Sequence, residues 1–188
     1  MTKTLQLITR NRIDWEWEDD ASGVTVRDYN GMGTESPTES SQRTLANGTG
    51  ANQANALWHD RRTLAVGASE NLDLAGVLVD VFGAAITFAK IKGIYVKNLG
   101  LGTLTSQTPT DDQDLLFGGY GPSGFPFAGF FNGDPTAVIR VNSGGEFYLD
   151  APLDGWSVGN ASNDILKVER LGSTSGNVVY DIAIWGTQ

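Results

Sequence analysis

From Ile86 to Val96 the chain reads ITFAKIKGIYV, the β-branched and aromatic centre of its densest apolar run, Leu57–Leu99. Period-two alternation puts Ala89, Ile91 and Tyr95 on one face and Lys90 and Lys92 on the other, the mark of a half-buried strand. Gly93 interrupts that pattern, and Ile94 and Val96 then join the apolar set on the other face, which predicts a bulge or a change of sheet there. Whatever follows is expected to be built onto this sheet.

The chain has 188 residues, including 24 glycines, with short apolar runs and no long amphipathic helix. That pattern favours an all-β sandwich or barrel. Cysteine is absent, which removes disulfide frameworks and thiolate metal sites. A formal charge of -9 argues against a nucleic-acid groove, which needs a basic footprint. No apolar run reaches the ~18–20 residues of a membrane span, and MTKTLQLITRNR has no uninterrupted apolar core of a signal peptide. The expectation is a soluble chain made in the cytoplasm, with no nucleic-acid or membrane partner.

The first segments read TLQLI, IDWEWED and GVTVRDY. In the second, Ile13, Trp15 and Trp17 alternate with Asp14, Glu16 and Glu18, giving an aromatic face that something must cover. Asn30–Asn55 holds few apolar residues and many Gly, Ser, Thr and Asn, too little to offset its ordering entropy alone. It reads as a flexible arm ordered against a partner. The expected division is therefore residues 1–56, a strand segment and polar arm, and 57–188, a jelly-roll-like β-sandwich.

Within the second part, strand-like pieces fall at Leu115–Phe117, Phe127–Phe131, Ala137–Asn142, Glu146–Asp150, Trp156–Val158, Ile165–Arg170 and Asn177–Trp185. Ser143-Gly144-Gly145 between two of them is a hairpin signal. Roughly eight strands at spacings of about 8–15 residues fit a jelly roll or similar sandwich.

Candidate chemistry is sparse. His59 is the single histidine; its neighbour Asp60 would point to the opposite face of a strand, so the two do not make a base–orienter pair. Glu16 and Glu18 would lie roughly 6.5–7 Å apart on one face, overlapping the spacing of inverting glycosidases, yet the tryptophans that would stack on a sugar lie opposite. Asp111, Asp112 and Asp114 resemble half a calcium loop without its turn glycine or closing glutamate. The sequence thus predicts no catalytic residue, no cofactor and no metal site, and no enzyme activity. GYGPSGFPFAG carries Tyr120, Phe125 and Phe127 among glycines, a packed turn or a stacking platform.

Four stretches carry a resemblance: WHDRRTLAVGASENLDLAG, FGAAITFAKIKGIYVKN, LDAPLDGWSVGNASNDILKVER and VVYDIAIWG. Together they look like a group of small virion proteins of tailed bacteriophages, over most of Leu57–Gly186 and not over Met1–Asn55. The matching residues (Leu72, Leu74, Phe82, Gly83, Gly155, Trp156, Asp164, Ile165, Leu166) are mainly strand and turn positions without chemistry.

The resemblance implies a structural role on the capsid surface of the virion, as a cement or decoration protein on the phage major capsid protein, assembled as a homotrimer or homodimer. The polar arm suits it, since a segment disordered alone can wrap a large surface. Ile13, Trp15, Trp17, Tyr120, Phe125 and Phe127 are the expected contact residues, because aromatic anchors dominate interfaces. The alternative is a carbohydrate-binding or tail and baseplate β-sandwich module; an enzyme such as a glycosidase is a third class.

Overall fold

The computed structural model describes residues 4–12, 16–19, 24–27, 40–101, 113–119, 127–172 and 176–188. The fold is all-β: the described residues form thirteen strands and one short 3-10 turn, Gly129–Phe131. The chain divides into two compact units, Gln6–Leu45 and Met1–Leu5 with Ala46–Gln188.

The smaller unit holds two antiparallel pairs. Strand β1 (Leu7–Arg12) runs against β4 (Ser40–Leu45), with Leu7 opposite Leu45. Strand β2 (Glu16–Asp19) runs against β3 (Val24–Arg27). The polar stretch expected to be a featureless arm therefore supplies a strand at Ser40–Leu45. Its continuation, 46–55, belongs to the larger unit, where Ala46 N donates to Asn52 O and Ala54 N donates to Ala46 O. Ala54 is fully buried. Backbone hydrogen bonds, with bonds accepted by the side chains of Asn47 and Gln53, order a stretch with few apolar side chains, and composition does not report them.

The larger unit is a two-sheet sandwich. One sheet orders β10 (Glu146–Asp150), β7 (Lys90–Asn98), β13 (Val178–Thr187) and β5 (Ala56–Leu64), with β11 (Trp156–Ser157) also pairing β7. The other orders β6 (Ser69–Asp73), β12 (Ile165–Arg170), β8 (Leu115–Gly118) and β9 (Val138–Val141). One sheet contributes Trp58, Ile94, Val96, Tyr180, Ile182 and Ile184 to a common core, and the other contributes Leu72, Leu115, Phe117, Val141, Leu166 and Val168. Alternating burial along β12 and β13 is what a strand with one face on such a core requires.

Three local expectations change. First, Lys92 does not point to solvent. It is 1 % exposed, and its ammonium donates to Pro152 O at 3.3 Å and Leu153 O at 2.8 Å. The pairing of β13 with β7 steps from Trp185–Gly93 to Gly186–Ile91, so Lys92 is the extra residue of a bulge, and Ile91 and Ile94 both reach the core. The bulge expected at Gly93 is therefore present, Lys92 is covered by the loop over 152–155, and Tyr95 stands half-buried on the outer face.

Second, Ser143-Gly144-Gly145 does not close a hairpin: β9 pairs β8 whereas β10 pairs β7. The turn carries the chain from one sheet to the other, held by Gly144 N to Asn98 O and Asn98 N to Gly145 O. Third, Phe127–Phe131 is not a strand, because Gly129–Phe131 coils into the 3-10 turn.

Candidate functional site

Two exposed features of the larger unit differ from an ordinary solvated surface. The first lies between β6 and β7. Ile86 N donates to Leu78 O and Asp80 N to Ala84 O, while Val79 and Ala85 bridge antiparallel, forming a short hairpin over 78–86. The Asp80 carboxylate accepts from the backbone N–H groups of Phe82 and Ala84, both at 2.9 Å, which fixes the turn, and Gly83 supplies the positive φ it needs, 79°. Leu78 and Ile86 anchor the base in the core. Above it Val77, Val79, Val81 and Phe82 are 70, 51, 66 and 75 % exposed.

Four large apolar side chains on a braced loop are an unusual display, since soluble surfaces usually scatter such residues singly. A cavity of about 270 Å³ opens beside the hairpin, lined by Leu5, Asn47, Leu57, Val81, Ala85 and Gln188 among others.

The second feature is the outer face of the five-stranded sheet. In register across it stand His59, Ala183, Tyr95 and Tyr148, and in the next row Arg61, Asp181, Lys97 and Glu146. Arg61 Nε and Nη2 donate to the two oxygens of Asp181 at 2.6 and 2.8 Å. That bidentate pair holds the Asp181 carboxyl below its ordinary range, chiefly through the hydrogen bond. Tyr95 Oη donates to Glu146 Oε2 at 2.9 Å, and Lys97 lies 3.7 Å from the same oxygen. His59, Asp60, Arg61, Tyr95, Asp181, Ile182 and Ala183 line a shallow cleft of about 490 Å³.

At the mouth of the sandwich the inward-facing Arg62 of β5 pairs with Glu70 of β6 and with Asp60, at 3.0 Å for the latter. Tyr180 donates its hydroxyl to the same Glu70. Inward charges on two edge strands thus tie the sheets together and blunt edges open to further pairing.

The tyrosines give the fold an alkaline limit. Burial, then Glu146, pushes the Tyr95 hydroxyl up to about 12, and burial, then Glu70, pushes Tyr180 higher still. An unfolded tyrosine titrates near pH ~10, so the folded state holds these protons more tightly. Both contributions are intact below pH ~10; that of Tyr95 is lost as pH rises toward about 12, and that of Tyr180 goes on falling beyond it. Lys92, lowered mainly by burial from 10.5, acts with the opposite sign and its effect is complete by that pH. The melting temperature is expected to fall steeply between pH 10 and 12, and less steeply in Tyr95→Phe; parallel curves for the two proteins would refute this assignment.

The residues expected to make contacts fare differently. Phe127 is 2 % exposed and packs edge-on to Phe130 at 5.3 Å, so it is a core residue and not a surface anchor; a glycine-rich context does not reveal which way its ring turns. Trp17, with Glu16 and Glu18, lies in β2. Ile13, Trp15, Tyr120 and Phe125 lie outside the described residues.

His59 and Asp60 face opposite sides of β5 as expected: His59 stands opposite Ala183, and Asp60 bonds Arg61 N at 2.8 Å and Arg62. Of the supposed calcium loop, Asp111 and Asp112 lie outside the described residues. Asp114 is instead a buried latch, accepting from Arg140 Nε at 2.7 Å, Asn142 Nδ2 at 3.1 Å and Ser143 N at 2.9 Å.

Among the described residues no three His, Asp or Glu side chains are grouped to hold a metal ion, and no helix is long and apolar enough to cross a membrane. The hairpin had a readable signal in VLVDVFG, valines alternating about an Asp-x-x-Gly turn. The His59–Ala183–Tyr95 row had none, because it exists only through the pairing of strands far apart in sequence. The chain matches no family model, no curated protein and no solved structure.

Proposed function

We propose that this chain is a non-catalytic structural protein of a tailed-phage particle, a capsid cement or decoration protein that binds between major capsid subunits. A jelly-roll-like wiring of the sandwich and assembly as a homotrimer or homodimer belong to the same reading. The observation that supports it best is the hairpin over 78–86, a preorganised apolar tip whose exposure is costly in water and is relieved by docking. Rigid presentation lowers the entropy lost on binding, which is what a permanent seat on a shell requires. Kinship with small virion proteins is part of the same proposal, and Ile13, Trp15, Trp17, Tyr120 and Phe125 are retained as proposed contacts.

The test is co-sedimentation of purified protein with undecorated shells of the particle whose genome encodes it. Saturable binding at a fixed ratio to capsid subunits is expected. Failure to bind such shells across micromolar concentrations would overturn the proposal.

A further inference from the structure

We infer that the slot over Ala183, on the outer face of the five-stranded sheet, is a binding site for a neutral saccharide. The argument is independent of the hairpin and begins with register. Ala183 stands between His59 on one neighbouring strand and Tyr95 on the other. Adjacent strands are about 4.8 Å apart, so the flanking side chains rise about 9–10 Å from one another over a floor only one methyl high. That leaves a slot of sugar-ring dimensions with an aromatic wall. Beyond it, the Trp185 ring is buried, 3 % exposed, between Gly93 and Tyr148, so Tyr95 is the aromatic face that the slot presents.

The polar groups around the slot decide the class of ligand. Arg61 and Lys97 are matched by Asp181 and Glu146, and Asp60, which also lines the cleft, is paired with Arg62, so the site is locally neutral on a chain of net charge -9. An anion or a cation finds no excess of opposite charge there. The Arg61 side chain is 66 % exposed and that of Asp181 33 % exposed, so their mutual hydrogen bonds leave further donors and acceptors facing the cleft. Sugar hydroxyls both donate and accept, and a pyranose has an apolar C–H face for Tyr95; a purely apolar ligand would leave these groups unmatched. The side chains stand on paired strands and are braced by ion pairs, so the array is set before a ligand arrives.

The test is two-dimensional amide NMR of the full chain titrated with hexa-oligosaccharides of glucose, galactose, mannose and N-acetylglucosamine, with sodium sulfate as the ionic control. One or more sugars at millimolar concentration are expected to move the amides of His59, Arg61, Tyr95 and Ala183, and sulfate to leave them unmoved. Ala183→Leu fills the slot from a half-buried outer position and should weaken binding at least tenfold; His59→Ala gives the same reading if the leucine variant proves unstable. No shift with any sugar, shifts confined to other residues, an equal response to sulfate, or unchanged affinity in both variants would each overturn the assignment.

Discussion

Replacing Phe117 by alanine is expected to lower the unfolding free energy by about 3–5 kcal/mol, the cost of deleting a fully buried aromatic side chain. Phe117 is wholly inaccessible to solvent. Its ring meets Tyr180 of the facing sheet edge-on at 5.6 Å and Phe147 at 5.5 Å, so it joins the two layers at one point. The loss includes burial, the edge-to-face contacts and the cavity left where Tyr180 cannot collapse, since Tyr180 is bonded to Glu70. Against a total stability of roughly 5–15 kcal/mol for a domain, the melting temperature should drop by roughly 10 °C. Urea unfolding of the variant checks this; a loss below about 1 kcal/mol would mean that the sheets do not meet through Phe117.

Gly186→Ala is expected to cost about 3 kcal/mol or more, through backbone collision rather than lost burial. A Cβ at Gly186 would fall 2.0 Å from Lys90 O and 3.1 Å from Ile91 Cα. Both are backbone atoms of the neighbouring strand at the bulge, so no side-chain rotation relieves the contact and the strands must separate. Gly144→Ala is the control: its φ is 79° but a Cβ there meets nothing within 4 Å, so only the backbone preference is lost, about 1 kcal/mol. Equal effects at the two glycines, measured by thermal or urea unfolding, would contradict the close approach at the bulge.

The strands legible in the sequence are those whose environment is set by one face on the core. Ile165–Arg170 and Glu146–Asp150 stand where alternation places them, and Val178–Thr187 nearly so. Lys92 was not legible, because its burial follows from a register step against Gly186, a residue ninety-odd positions away on the order of half the chain. The turn at Ser143–Gly145 was legible as a turn, but the sheet to which each flank belongs depends on long-range pairing. Apolar composition alone assigns the run to the sheet; Val77, Val79 and Val81 are instead exposed, because the Asp80 turn folds them back on themselves before β7 begins. Phe127 shows the converse, an aromatic in a loop whose neighbours suggest a surface and whose ring fills the core.

The proposed role depends most on the hairpin tip, and Val81→Asp examines it directly. Val81 is 66 % exposed, so a carboxylate there disturbs no core contact and the melting temperature should stay within about 1–2 °C of the parent. In co-sedimentation with undecorated shells, affinity should fall at least tenfold. Unchanged binding by a stably folded Val81→Asp protein would contradict docking through the hairpin.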